Sequence, residues 1–260
     1  MSASMDTDVA GGRDQAGREA QDRQSRIGLS LAIAIISTWA IVHVYGVFFY
    51  RWSEWSVLTA PLLAALAAWL YVGIFIVAHD CMHGSLVPFR PEINRAIGRL
   101  CLILYAGFSF DELNRKHHLH HRHSGTEGDP DFDPTPPHGI VHWYFRFFLE
   151  YFTWRQFLFF AIVGTVYMHV LGVSPANLIV FWSLPAIVSS VQLFYFGTYL
   201  PHLPEAQPFA DRHRARTNNY SWWVSLLTCF HFGYHHEHHL RPDVPWWRLP
   251  RVHAAMGKRA

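Results

Sequence analysis

Charge is scarce in this chain. Asp, Glu, Lys and Arg make up only 15% of its 260 residues, against about 25% in an ordinary soluble domain. The formal net charge is +2, and the basic residues form no stripe, which excludes a nucleic-acid partner. Cysteine is scarce too. Cys81, Cys101 and Cys229 form no C-x-x-C pair, which leaves neither a disulfide framework nor a thiolate zinc site. No G-x-G-x-x-G string is present to cradle a dinucleotide. No Glu is followed three positions later by His, so the Glu-x-x-His signature of carboxylate di-iron bundles is missing. The only His-Glu dipeptide, His236–Glu237, runs on as His238–His239–Leu240 and lacks the second His of an H-E-x-x-H protease.

What replaces charge is apolar surface and histidine. Hydrophobic residues reach 51%, and there are 19 histidines. Ile27 to Phe49 and Val57 to Ala78 are uncharged runs, each long enough to cross a hydrocarbon core about 30 Å thick. Tyr45, Tyr50, Trp52 and Trp55 crowd the turn between them like an interfacial belt. Phe157 to Leu171 and Leu178 to Leu200 form a second hairpin, with Pro185 expected to kink its returning arm and Pro201 to end it. Between the hairpins, the region from about Pro91 to Phe110 is too short for a secure crossing and reads as a re-entrant or interfacial helix pair. His142 to Trp154 is aromatic and amphipathic, suited to the headgroup layer.

The expected architecture is therefore all-α and integral to the membrane: four transmembrane helices, short re-entrant or interfacial helices, and a cytosolic cap. Residues 1 to 26 have little to bury and read as a disordered tail. Acidic residues there precede an apolar run too long for a signal-peptide core. Residues 27–253 form the membrane domain, with hairpins over 27–78 and 157–200, and 254–260 a C-terminal tail. Of the 21 Lys and Arg residues, only Arg51 falls in a far-side loop. The positive-inside rule then puts both termini and all the histidine clusters on the cytoplasmic face.

Those clusters have helical spacing. His79 and His83 are i,i+4, so both imidazoles lie on one helix face. His117, His120 and His121 follow i, i+3, i+4, and His235, His238 and His239 repeat that pattern. His118 and His236 point about 100° away from the first member and are poorer ligands. A lone histidine is usually a solvated or satisfied side chain. Three clusters delivered to one membrane face argue instead for metal, and eight imidazoles are too many for one tetrahedral zinc, which takes about four ligands. His231, four before His235, is a candidate for a ligand or for a group behind one. Asp80, Asp111, Glu112 and Glu237 are candidates to orient ligand imidazoles, and equally for solvated or capping carboxylates. Asp129, Asp131 and Asp133 belong to a Pro-rich loop near the second cluster, with the same two readings open.

The pattern HDCMH, HHLHH, HHEHH resembles the integral-membrane histidine di-iron superfamily, which includes acyl-lipid desaturases, alkane hydroxylases and carotenoid oxygenases. The longer strings AHDCMHG, FGTYLPH and CFHFGYHHEHHLRPDVPWWRLP look like those of the bacterial beta-carotene ketolases of astaxanthin biosynthesis. The resemblance covers roughly residues 27 to 253. It implies transmembrane helices capped by a cytosolic region in the bacterial inner membrane, with two Fe(2+) ions per chain and O2 as cosubstrate. It adds His202 as a further ligand, which spacing alone does not select. Related desaturases carry an Asn near that histidine, where this chain has Thr198 and Tyr199. The activity implied is oxidation of the C4 methylene of a beta-ionone ring to a ketone, by two hydroxylations and loss of water, with 3-hydroxylated rings as possible further substrates. A carotenoid ring hydroxylase or a fatty-acyl desaturase is the alternative. With no dinucleotide motif, electrons should come from a separate donor, for which the resemblance suggests ferredoxin. The aromatic rows Trp143 to Phe152 and Phe194 to Tyr199 could line the path of a lipid-dissolved substrate.

Overall fold

The structure is a computed structural model that describes residues 3–204 and 208–257, and every regular element among them is helical. Helix α1 (Ala3–Val44) runs on into a π-helical turn, Tyr45–Phe49. After a short turn, α2 (Ser56–Met82) returns beside it. This second helix is the centre of the molecule: Tyr71, Val72, Ile74, Ile76, Val77 and Ala78 are all fully buried. Its second half is enclosed on every side, and its first half exposes Val57, Leu58 and Leu62 on a face suited to lipid, so neither half needs an amphipathic stripe and the sequence is apolar all round.

Helix α3 (Pro91–Ala106) starts with Pro at its first turn and packs along α2. Gly98 makes that approach possible, because a Cβ there would stand 2.2 Å from the Phe110 ring and 3.1 Å from Cys81. The helix ends at Gly107, whose φ of 68 is the left-handed conformation glycine adopts without steric cost. By then the chain has reached the level of Tyr71, whose ring meets Tyr105. Helix α4 (Phe110–His123) turns back from there, and Asp111 ties the two helices together through Arg95 and Arg99. In place of a helix pair between about Pro91 and Phe110, that region holds one helix, α3, and the returning helix is α4, which carries the second histidine cluster.

Helix α5 (Ile140–Tyr151) lies across that end, with Trp143 inward and Val141, Phe145 and Leu149 outward. Helix α6 (Trp154–Thr165) continues as a π-helical turn, Val166–Val170. Then α7 (Pro175–Leu178), α8 (Leu184–Phe194) and α9 (Leu200–His202) join through π-helical turns Ile179–Ser183 and Tyr195–Tyr199 into one rod. The wide turn before Pro185 falls where proline's missing N–H and bulky ring would disturb a regular α-helix. Pro201 lies inside the last turn, which ends only after His202. The cap holds α10 (Trp222–Cys229), α11 (His235–Leu240) and α12 (Leu249–Gly257).

Among the described residues, three helices are long and apolar enough to cross a membrane: Gly17–Phe49, Ser56–Met82 and Pro175–His202. The expected fourth arm, α6 with its π-helical turn, is shorter. It still carries the chain from the α5 end of the bundle to the far end, where Tyr167 meets Phe48. Phe157, Leu158, Ile162 and Val170 on its outer side are exposed, an apolar face suited to lipid rather than water.

Over the stretch expected as a tail, 1–26, the structure has helix α1 from Ala3 onward. Ala, Arg and Gln make up most of residues 15–26, just before the membrane run, and are good helix formers. Gln24 is also fastened, donating to the Ser85 carbonyl at 2.7 Å and accepting from Arg248 at 2.8 Å. At the other end, α12 extends the ordered chain past 254 to Gly257, and residues 258–260 of the expected tail lie outside the described residues.

The far end of the bundle is locked by Asn177. Its amide donates to the Val47 and Tyr50 carbonyls, at 3.3 and 3.1 Å, and accepts from Trp52 Nε1 at 2.6 Å. Asn177→Ala leaves these buried groups unpaired and is expected to cost about 1–3 kcal/mol. A lower midpoint of thermal unfolding in detergent would show it, and an unchanged midpoint would contradict the assigned role.

Candidate metal centre

Four helix ends deliver imidazoles to one place. His79 lies in the last turn of α2 and His83 caps it. Helix α4 starts under Ser109, whose hydroxyl accepts from Glu112 N, with Asp111 and Glu112 favourably placed against the dipole of its first turn. Its inner face carries His117, His120 and His121. Helix α11 carries His235, His238 and His239, and His202 ends α9.

These nine residues divide into two groups. One ring nitrogen from each of His79, His83, His117, His121 and His238 lies within 4.8 Å of the others, and the same holds for His120, His202, His235 and His239. The partition follows the helical wheel. At about 100° per residue, i+4 lies about 40° to one side of i and i+3 about 60° to the other. His117 and His121 therefore serve one group and His120 the other, and on α11 His235 and His239 part from His238. Each helix straddles both groups, which are joined where the His121 and His239 rings stack at 4.2 Å.

The donor set fits cations. His83 and His117 bring their Nε2 atoms to 2.7 Å, His238 and His121 to 2.9 Å, and His239 and His235 to 3.0 Å. Ligands at right angles around a metal with bonds of about 2.1 Å stand about 3.0 Å apart. Both ring nitrogens of His79 and Nε2 of His202 are buried without a hydrogen-bond partner. Neutral imidazoles without thiolate suit iron, zinc or copper, and burial supplies the neutral form. Burial first, then the neighbouring imidazoles, pushes His117, His121, His235, His238 and His239 below the usual histidine range.

Groups behind the ligands set the tautomers. His120 Nδ1 meets both Asp129 oxygens, at 2.9 and 3.0 Å, and the backbone N–H groups of Gly125 and Asp131 hold that carboxylate at 2.9 Å each. His202 Nδ1 donates to the Arg214 carbonyl at 2.8 Å. Both contacts leave Nε2 free for a cation. In the metal-free protein, burial pulls His120 down, but Asp129 and Asp131 outweigh it and raise the imidazole to about 9. Burial raises Asp131 to about 6. Asp129 stays below the usual carboxylate range, since His120 beside it outweighs its burial.

Four expected positions lie elsewhere. His231 is outside both groups: Phe230 and His231 have left-handed φ values of 47 and 63, so no helix carries 231 into register with 235. Its Nδ1 faces Ser225 Oγ at 3.1 Å instead. Asp111 is exposed in the first turn of α4 and paired with arginines. Glu237, turned away from His238 on the wheel, accepts from Thr217 and from His253 at 2.7 Å. Asp80 accepts from Trp246 N at 3.2 Å, fastening the cap to α2, and stands 3.7 Å from His79 Nδ1 without bonding it. Asp129, nine residues after His120, does meet a ligand imidazole, which is the second of the two readings its Pro-rich loop left open.

A cavity of about 290 Å³ ends on this centre. His79 and His117 of one group line it, as do His120 and His235 of the other. Its walls are aromatic, with Phe147, Phe148, Tyr151 and Phe152 from the first expected row. Trp143, Phe194 and Tyr199 instead pack on one another, and Gly197 and Thr198 represent the second row. Ile187, also on the wall, is 53% exposed, so the cavity reaches the lipid-facing side of α8.

The family model for fatty acid desaturases matches residues 53–171 and 150–260. The chain belongs to this family. Among its relatives, a beta-carotene ketolase of Paracoccus sp. (strain N81106 / MBIC 01143) is 52% identical over 217 residues, 83% of this chain and 88% of the relative. One of Haematococcus lacustris is 39% identical, covering 89% of this chain and 80% of the relative. An sn-1 oleoyl-lipid 12-desaturase of Anabaena variabilis is 22% identical, covering 78% and 71%. Family and donor set together make the protein an oxygenase-type enzyme of the di-iron superfamily.

Proposed function

We propose that this protein is a beta-carotene 4-ketolase, with His79, His83, His117, His121 and His238 holding one ferrous ion and His120, His202, His235 and His239 the other. The observation that carries the reading is the aromatic cavity that joins the lipid-facing side of α8 to histidines of both groups. The names of the ketolase relatives support the substrate. Two ferrous ions bound there would supply the activation of O2 for oxidation of the allylic C4–H bond of the ring.

The chain's own residues do the rest. Phe147, Phe148 and Phe152 can grip a beta-ionone ring and exclude water from it. Leu113, Met82 and Phe232 close the cavity around the histidines, so the ring carbon nearest them is the one that reacts. Asp129 and the Arg214 carbonyl hold His120 and His202 with Nε2 towards the centre. With no dinucleotide motif in the chain, electrons arrive one at a time from an external carrier such as ferredoxin. Four crossings, with the histidines and both termini at the cytoplasmic face of the bacterial inner membrane, fit the distribution of Lys and Arg.

Expression in a bacterium that accumulates beta-carotene tests the reading. The expected pigments are echinenone and canthaxanthin. Zeaxanthin alone, or unchanged pigment with a rise in lipid unsaturation, would move the protein to the hydroxylases or the desaturases.

A further inference from the structure

The cavity is apolar along most of its wall, yet it holds one carboxylate beside the histidines. Asp131 lines it. One oxygen of Asp131 accepts from the Tyr151 hydroxyl. The other lies 3.7 Å from His120 Nδ1, beyond hydrogen-bond reach, and that nitrogen is already taken by Asp129. The carboxylate is fixed in place. Its backbone carbonyl accepts from Trp143 Nε1 at 2.7 Å, and Lys116, anchored by Glu150 at 2.9 Å, stands over the Tyr151 ring. A carboxylate oxygen with unfilled lone pairs in an apolar cavity is costly unless a donor meets it.

A hydrocarbon ring brings no donor, but its first oxidation product does. Each round converts one C–H, with O2, two electrons and two protons, into C–OH and one water. The electrons come from the one-electron carrier of the proposed reaction. A second round at the same carbon gives a gem-diol, which loses water to leave the ketone. Between rounds the substrate is an alcohol whose hydroxyl sits at the reacting carbon, at the histidine end of the cavity. We infer that Asp131 accepts a hydrogen bond from this hydroxyl and thereby holds the alcohol for the second round. With the hydroxyl turned to Asp131, the remaining C–H on that carbon is presented to the histidine groups. Asp131 is thus a specificity residue that makes the end product a ketone, an inference that rests on the ketolase reading.

Product ratios test it. In cells accumulating beta-carotene, Asp131→Leu is expected to raise the ratio of 4-hydroxy to 4-keto pigment roughly tenfold, the scale of one hydrogen bond to a charged group. Asp131→Asn keeps the side-chain shape and an oxygen acceptor, and is expected to keep the ketone as main product. An unchanged ratio in Asp131→Leu overturns the inference. Because loss of Asp131 could also disturb His120, a second measurement uses metal-free protein in detergent, titrated with beta-carotene and with its 4-hydroxy derivative by tryptophan quenching. Wild type is expected to hold the alcohol roughly tenfold tighter and Asp131→Leu to hold both alike. Equal affinities in wild type, or a preference surviving in Asp131→Leu, overturn the inference while leaving the ketolase reading in place. Wild type that binds neither pigment and makes no ketone removes that reading and the inference together.

Discussion

Alanine at His238 is expected to abolish ketone formation while the helices still insert. His238 is the one ligand of the five-histidine group that comes neither from the end of α2 nor from the i,i+4 pair of α4: it is the single contribution from α11. Its Nε2 stands 2.9 Å from that of His121, and its ring meets those of His79 and His83 at 4.5 and 4.9 Å. Removing it opens the closed side of the group and leaves the other group intact. Iron analysis of the purified protein should then fall from two ions per chain towards one, matching the two groups. His120→Ala should empty the second group in the same way, because its Nε2 lies 3.2 Å from His239. Helix content in detergent should be unchanged in both variants, since neither α4 nor α11 is one of the long apolar helices. Full activity, or full iron content, in either variant would contradict the ligand assignment.

Much of this centre was legible because helical spacing is a strong constraint. The i,i+4 pairs His79/His83, His117/His121 and His235/His239 each stay within one group. The wheel is consistent with the partition, since an i+3 histidine lies about 60° from i and about 100° from i+4, on one shared face but at its other edge. Expectation failed where the chain leaves the helix. His231 precedes His235 by four, yet the left-handed residues Phe230 and His231 separate α10 from α11, and spacing across a break carries no angular information. Asp111 and Glu237 have the right chemistry but face arginine and Thr217 instead, because neighbours from other helices decide a carboxylate's partner. The fold divides similarly. Uncharged runs marked the long helices, whereas α6 carries the chain along the bundle with fewer residues than composition alone would accept. Helix in the polar stretch before Ile27 was hidden by its lack of anything apolar to bury, although its residue types favour helix once α1 is anchored below.

Asp129 is where the loop and the centre meet, and its loss should be felt as weakened metal binding. The carboxylate receives His120 Nδ1 on both oxygens and two backbone N–H groups from Gly125 and Asp131. It is itself almost wholly buried, at 2% exposure, so no water replaces it cheaply. Removing a carboxylate behind a metal-bound histidine typically lowers metal affinity about 10–100-fold, because the ring loses both orientation and basicity. Asp129→Ala should show that loss in competition with a chelator, using Co(2+) as the probe ion. The loss should fall on the group of His120, His202, His235 and His239, because none of the other five histidines bonds Asp129. Asp129→Asn keeps an acceptor for one N–H but removes the charge, so its affinity should fall between those of wild type and Asp129→Ala. Equal affinities in all three proteins would mean that packing alone orients His120. A loss shared equally by both groups would mean that Asp129 holds the cap together rather than one ligand, and the two outcomes are separated by titrating the first and second Co(2+) equivalents.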